Sequence, residues 1–495
     1  MGRVQTPLHP STSMDQDWKE LSKTFRLENK NIKSRLLSVL EDYQYIQDII
    51  EPTFCDYKIV PNERCGVWYC PPEKYNKTCY FKSTDGHTDI WEFSHRRLNF
   101  HILEDIFTDG GVVIVDSTRR GKKIPDSLSK TIPIWCAVLN CIINAEINGH
   151  GLYVTTEFAE KYLFLPPNTV SPTERLQILA KIPTLVENCI KYVPNVRTML
   201  LEKIKTHFKG PNKLENEEIV LRPIWIHPGS KHNIDPFTGD VVPWTGFSHG
   251  AFQTGKEPLV FTVCCCSCSY QCQDGTNKKS GYTYVQGAAD DHELWSNGLE
   301  AVDFWKNVEY FSNLENTDAE ISFYIAENIT GKRSLQEHEL KYEKITEQVY
   351  IGISGPVDAL PQNFKLWIRC GAASEEAKEN SDPQVIHFYP GLKSKEKKSG
   401  KNLRVALIEI VPLVEKILFD NSGAPELKNT VLITCDTGTD ISAGIALAII
   451  AKSFSAGPVN KVTIRQHLTQ MINKCTQFQI NPSRATLNSV NSFLM

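Results

Sequence analysis

Apolar residues recur at three- and four-residue spacing early in the chain, with Ile32, Leu36, Leu40, Tyr43 and Ile46 on one face, which predicts a helix. Residues 1–14 show no such period and are expected to be disordered. Residues 55–100 are aromatic and punctuated by Cys and Gly, with short strand-like runs at 66–70 and 79–84. GGVVIVDSTRRGKK (110–123) then predicts a buried strand running into Asp116 and a basic turn. Two or three helices are expected over 171–207: Ser171-Pro-Thr-Glu174 has the form of a capping box, and Pro183 and Pro194 should divide the pattern. Strand-like runs return over 220–286, including 223–228 and 258–270. These patterns predict an α+β first part over 15–310, a charged connecting segment over 311–347 and an α/β domain over 348–495.

Within the last part, VLITCDTGTDISAGIALAII (431–450) reads as a strand, a small polar loop and an apolar helix. That arrangement suits a phosphate group, because backbone N–H groups and the positive helix end face the loop. Cys435, Asp436, Thr437, Gly438, Thr439, Asp440 and Ser442 are the candidate contacts. The loop has nearly the length of a cysteine-phosphatase loop, but position 441, where the arginine clamp belongs, is Ile.

Composition adds few constraints. The net charge of −4 and sequence pI near 6.4 exclude a uniformly basic nucleic-acid coat but leave room for a local basic surface. No run reaches the roughly 18 apolar residues of a membrane span, and the polar N-terminus lacks a secretory h-region. Fifteen irregularly spaced cysteines then read as reduced thiols of a cytoplasmic protein without a membrane partner. The run CCCSCSYQC (264–272) has no second well-spaced ligand pair, so packed thiols are expected there rather than zinc.

Three charged constellations carry candidate chemistry. Arg119, Arg120, Lys122 and Lys123 follow Asp116 at a strand end, which suits Mg²⁺-bound phosphate or an RNA backbone, or else a solvated loop. Asp290 and Asp291, after the strand-like YTYVQ, either open a helix or share a cation with Asp116. In STDGHTDIW (83–91), Asp85 and His87 occupy a turn from which either could act as acid or base. Neither a Walker A loop nor GxGxxG is present, so nucleotide-hydrolysing and dinucleotide enzymes lose support.

The stretches YFKSTDGHTDIWEFSHRRLN, VDSTRRGKKIPDSLSKTIPIWCAVLN, YTYVQGAADDHELWSNGL, CDTGTDISAG and NPSRATLNSVNSFLM (481–495) occur in this order. Together they closely resemble the tRNA 2'-O-ribosylphosphate transferases that modify adenosine 64 of cytoplasmic initiator methionine tRNA. The resemblance implies a family-specific N-terminal domain followed by a domain similar to dual-specificity phosphatases. It also implies phosphoribosyl pyrophosphate as donor, a tRNA ribose 2'-OH as acceptor, and Mg²⁺ on the departing pyrophosphate. The expected roles are His87, Asp85 and Asp116 in catalysis, Asp116, Asp290 and Asp291 near the metal, and the basic turn, the Cys435 loop and Arg484 on substrate. The family loop often has Lys where this chain has Thr439, so this loop carries less positive charge. A cysteine-dependent hydrolase and a non-catalytic tRNA-binding protein are the alternatives that such a sequence leaves open.

Overall fold

The computed structural model describes residues 31–495 except 120, 148, 150–153, 167, 206–217, 231–232, 235–240, 243–257, 332–339, 355–363, 372–385, 394–397, 420–428, 456 and 476–479. The N-terminal residues expected to be disordered, and Arg120, therefore lie outside the described residues. The chain forms two compact units. The first comprises Met1–Phe93, Ile102–Val186 and Leu201–Ser334, and the second Ser94–His101, Glu187–Leu200 and Leu335–Met495.

The first unit is built on a parallel sheet of strands β1 (Lys58–Pro61), β2 (Gly111–Asp116), β3 (Ile219–Ile226) and β4 (Leu259–Ser267), in the order β1-β2-β4-β3. β2 and β3 are buried along their whole length, as expected of apolar runs with both faces covered. Helix α1 (Ile32–Tyr45), capped by Asn31, and helix α3 (Ile132–Ile147) pack in this unit. A short helix α2 (Leu103–Asp109) leads into β2 through Gly110, whose φ of 79° closes the helix. Among the described residues one stretch, 127–147, is long and apolar enough to cross a membrane, but its most apolar 18-residue window is buried inside the unit. Cys264, Cys265 and Cys266 are packed thiols of β4, and all are fully buried.

Several expectations change. Residues 66–69 form a tight helical turn, and 79–84 contributes only a single bridge, Asn62 to Cys79. Gly66 explains the first difference, because a Cβ there would stand 2.1 Å from the Val115 carbonyl oxygen, so the segment is pressed end-on against β2. Helix α4 (Pro172–Tyr192) runs through Pro183 instead of breaking, held by buried Ile178, Leu179, Ile182 and Val186 on both sides of the proline. The segment 311–347 does not serve as a plain connector. Its helix Asp318–Tyr324 joins the first unit, where Asp318 accepts from the Lys33 amide at 2.9 Å, and strand β5 (Lys341–Lys344) joins the second.

The second unit holds a five-stranded sheet of β5, β6 (Val349–Ile353), β7 (Leu366–Arg369), β8 (Ile386–Phe388) and β9 (Val431–Cys435), in the order β8-β7-β9-β6-β5. Only β5 is antiparallel. Helices α5 (Ser399–Leu418), α6 (Ile441–Ser453), α7 (Lys461–Lys474) and α8 (Arg484–Leu494) share a continuous apolar core with this sheet.

Candidate active site

In open parallel sheets, ligands bind beyond the carboxyl ends of the strands. At that end of β2, Asp116 is fully buried and both its oxygens are engaged. Oδ1 accepts from Arg64 Nη2 and Cys65 Sγ, each at 2.9 Å, and from the Ser117 amide at 2.8 Å. Oδ2 accepts from Asn62 Nδ2 at 2.9 Å, Arg64 Nε at 3.1 Å and Ser127 Oγ at 2.6 Å. Arg64 then reaches Asp290 Oδ1 at 2.5 Å, while Arg119 bridges Asp290 Oδ2 at 3.1 Å and Asp291 at 2.7 Å. Burial alone would lower the Arg64 pKa, but Asp116, Cys65 and Asp290 outweigh it and raise it above the ordinary arginine value. Burial lifts Asp290 above the usual carboxylate range, and Arg64 opposes that shift.

The three carboxylates expected to share a cation are therefore committed to arginines. Among the described residues no group of three His, Cys, Asp or Glu side chains is placed to hold a metal ion. A resident Mg²⁺ does not fit this donor set, because each oxygen of Asp116 already accepts three hydrogen bonds. Asp116 serves as the rigid anchor of the strand end.

The basic turn is fixed by Gln286, a buried residue the sequence did not single out. Its Oε1 accepts from the Gly121 amide at 2.9 Å, and its Nε2 donates to the Lys122 carbonyl at 2.7 Å. Gly287 lets the two segments touch: at φ 67° its absent Cβ would meet the Thr118 carbonyl oxygen at 2.7 Å. Arg119, 55% exposed at its side chain, and exposed Lys122 and Lys123 thus project from a pinned backbone.

The 83–91 turn docks on the wide helical turn Ser127–Thr131. Gly86 permits this contact, since a Cβ would lie 2.7 Å from the Asp126 carbonyl oxygen and 2.8 Å from Thr131 Oγ1. His87 Nδ1 consequently sits 2.8 Å from Asp126 Oδ2. The ammonium groups of Lys130 and Lys122 face the same carboxylate at 3.5 and 3.7 Å. An ionised carboxylate can only accept, so Nδ1 is the donor of this bond, and the ring is half exposed. Asp126 is followed by Ser127, the residue bonded to Asp116, which ties this pair to the strand end. Asp85 lies two residues away with Oδ2 buried and unpartnered, and burial pushes its pKa up to about 6.

The Cys435 loop belongs to the second unit. Cys435 is buried, and its Sγ accepts from the Gly438 amide at 3.2 Å and lies 3.1 Å from Ser442 Oγ. The amides of Thr437 and Thr439 turn to Asp436 Oδ1 and Thr437 Oγ1, at 3.0 and 3.3 Å. Three of the amides expected to face a phosphate are thus taken by the loop's own acceptors. Asp440 accepts from the Ser483 amide at 2.8 Å and Thr486 Oγ1 at 2.6 Å, so it staples the loop to α8 beside exposed Arg484. Ile441 is buried where a phosphatase needs its arginine.

The model of the Rit1 N-terminal domain matches residues 25–330, and that of the Rit1 DUSP-like domain matches 387–494. A Saccharomyces cerevisiae protein named tRNA A64-2'-O-ribosylphosphate transferase is 39% identical over 512 aligned positions, which cover 96% of this chain and 94% of that one. A Schizosaccharomyces pombe protein described as uncharacterized is 30% identical, with 94% of each chain covered. Among solved structures, the Yvh1 phosphatase domain from Chaetomium thermophilum is 13% identical, covering 31% of this chain and 94% of its own, with a TM-score of 0.25. Human DUSP28 is 10% identical, covering 32% and 95%, with a TM-score of 0.23. The chain belongs to the Rit1 family and keeps the order of that family's N-terminal and DUSP-like domains.

Proposed function

We propose that this chain is a pentosyltransferase that moves the 5-phosphoribosyl group of phosphoribosyl pyrophosphate to the ribose 2'-OH of adenosine 64 in cytoplasmic initiator methionine tRNA. The name of the Saccharomyces cerevisiae relative supports the substrate pair. The observation that carries the chemistry is the His87–Asp126 pair, joined through Ser127 to the strand end from which Arg119 projects.

In the reaction the 2'-oxygen bonds to C1 of the donor while the bond from C1 to the pyrophosphate oxygen breaks. The electron pair leaves with pyrophosphate through an oxocarbenium-like state, as in glycoside chemistry. His87 Nε2 takes the 2'-OH proton, and Asp126 holds the ring in the tautomer that can accept it. Arg119, Lys122 and Lys123 neutralise the departing pyrophosphate. Mg²⁺ bound to the donor's pyrophosphate would supply charge neutralisation there, since Asp116, Asp290 and Asp291 are engaged by Arg64 and Arg119. The free cysteines favour a reducing compartment, and on that ground we read the cytoplasm as the place of action.

Transfer of label from the donor to initiator tRNA tests the reading. His87→Ala is expected to lower kcat by about 10²–10⁴-fold, and Asp126→Asn by about 10²-fold, with tRNA affinity unchanged. Full turnover by His87→Ala would remove the assigned base. Absence of label in tRNA treated with the unaltered protein would remove the transferase reading itself.

A further inference from the structure

A second basic surface lies wholly within the second unit, drawn from its segments Ser94–His101, Glu187–Leu200 and Leu335–Met495. Exposed Arg96 donates from Nη1 to the Pro482 carbonyl oxygen at 3.4 Å, two residues before exposed Arg484. The exposed Arg465 guanidinium lies 4.5 Å from the centre of the Tyr192 ring, and Lys191 Nζ lies 5.6 Å from it. The Tyr192 ring also takes the edge of His95, 5.5 Å away, so His95 and Tyr192 connect Arg96 to Arg465. Gln466 pins the arrangement by donating to the Lys191 carbonyl oxygen at 2.8 Å.

These cations are not balanced locally. Among the described residues, no carboxylate forms an ion pair with Arg96, Arg465 or Arg484. Asp440, beside Arg484, keeps its charge but turns its Oδ1 to the Ser483 amide and Thr486 Oγ1 instead of to the guanidinium. Partial burial, reinforced by the Arg465 and Arg484 charges, holds Arg96 below the usual arginine pKa. In a chain of net charge −4, a surface that gathers arginines with no ion-paired carboxylate among the described residues is suited to a polyanion. A guanidinium held over an aromatic ring loses little freedom on meeting a phosphate.

We propose that Arg96, Arg465 and Arg484 form a contact surface for the phosphodiester backbone of RNA. Arg96 holds the two others in one surface, through Pro482 near Arg484 and through His95 and Tyr192 next to Arg465. The proposal takes its ligand from the transferase reading, but it is tested by binding alone, without turnover. For the full chain, binding of an initiator tRNA transcript is measured across a salt series for Arg465→Glu, Arg484→Glu and Arg96→Gln. Each is expected to weaken binding about threefold to tenfold near 0.1 M salt and to reduce the salt slope by about 0.7–0.9 per lost phosphate contact. Arg465→Lys keeps the charge, so it should retain the slope and controls for folding. Unchanged affinity and slope in all three variants would overturn the proposal. So would a raised KM for the donor with tRNA binding intact, which assigns the arginines to the donor's phosphate. Lost binding in a protein that transfers no label would keep the surface and remove the transferase.

Discussion

Asp85 shows how one turn separates two titrating groups. Its carboxyl is pushed to about 6 chiefly by burial, partly countered by Lys82, whereas His87 two residues on is half exposed and partnered. A carboxyl whose folded pKa exceeds its unfolded value stabilises the fold only while protonated. That contribution is complete below about pH 4 and is lost as pH rises through about 6. Asp85→Asn, which cannot ionise, should therefore gain stability relative to the unaltered protein between pH 4 and 7. Discounted for solvent screening at a partly buried side chain, the gain is about 1 kcal/mol. Urea unfolding at several pH values measures it, and parallel curves for the two proteins would show that Asp85 is not strained by its charge. The sequence exposed Asp116, His87 and the basic turn because each sits in a local charged motif. It hid Asp126, Arg64 and Gln286, whose roles arise only across the chain: Asp126 meets His87 from 39 positions away, and Arg64 meets Asp290 from 226.

Strands and helices divide along the same line. The apolar runs of β2, β3 and β4 were legible because a strand buried on both faces needs no partner to be recognised. The aromatic 66–70 run was not, since its conformation follows from the approach of Gly66 to Val115 rather than from its own pattern. The protection of the sheet edge was equally hidden. β3 ends the sheet, and Asn140 and Asn144, one turn apart on α3, hydrogen-bond its outer backbone as another strand would. Asn140 bonds both the N–H and C=O of Leu221 at 2.8 and 3.0 Å, and Asn144 bonds those of Ile219 at 2.9 and 2.7 Å. Asn140→Leu keeps the volume but leaves two buried backbone groups unpaired, at about 1–3 kcal/mol each. A total loss of about 2–5 kcal/mol in chemical denaturation is expected, and a loss below about 0.5 kcal/mol would show that water replaces the amide.

Among the described residues each unit has a large hydrophobic core of its own, and the second also holds a smaller cluster around Phe364, Trp367 and Leu432. The first core surrounds Trp68, Trp295, Phe304 and the parallel sheet, and the other surrounds the sheet and helices of the second unit. The Rit1 domain models divide the chain in a comparable way, ending the first match at 330 and beginning the second at 387. The sequence showed two parts, and the join between Ser334 and Leu335 falls within the expected 311–347 segment, whose charge and weak apolarity nevertheless hid a helix of one unit and a strand of the other. Two cores with their own sheets predict two separable unfolding transitions. Leu407, fully buried in the second core, supplies the test. Leu407→Ala should cost about 2–5 kcal/mol, a cavity that the packed helices cannot wholly close. Calorimetry should show one transition lowered and the other unmoved, with the unmoved one reporting the unit that carries His87 and Arg119. A single transition that shifts as a whole would mean that the two cores unfold as one cooperative body.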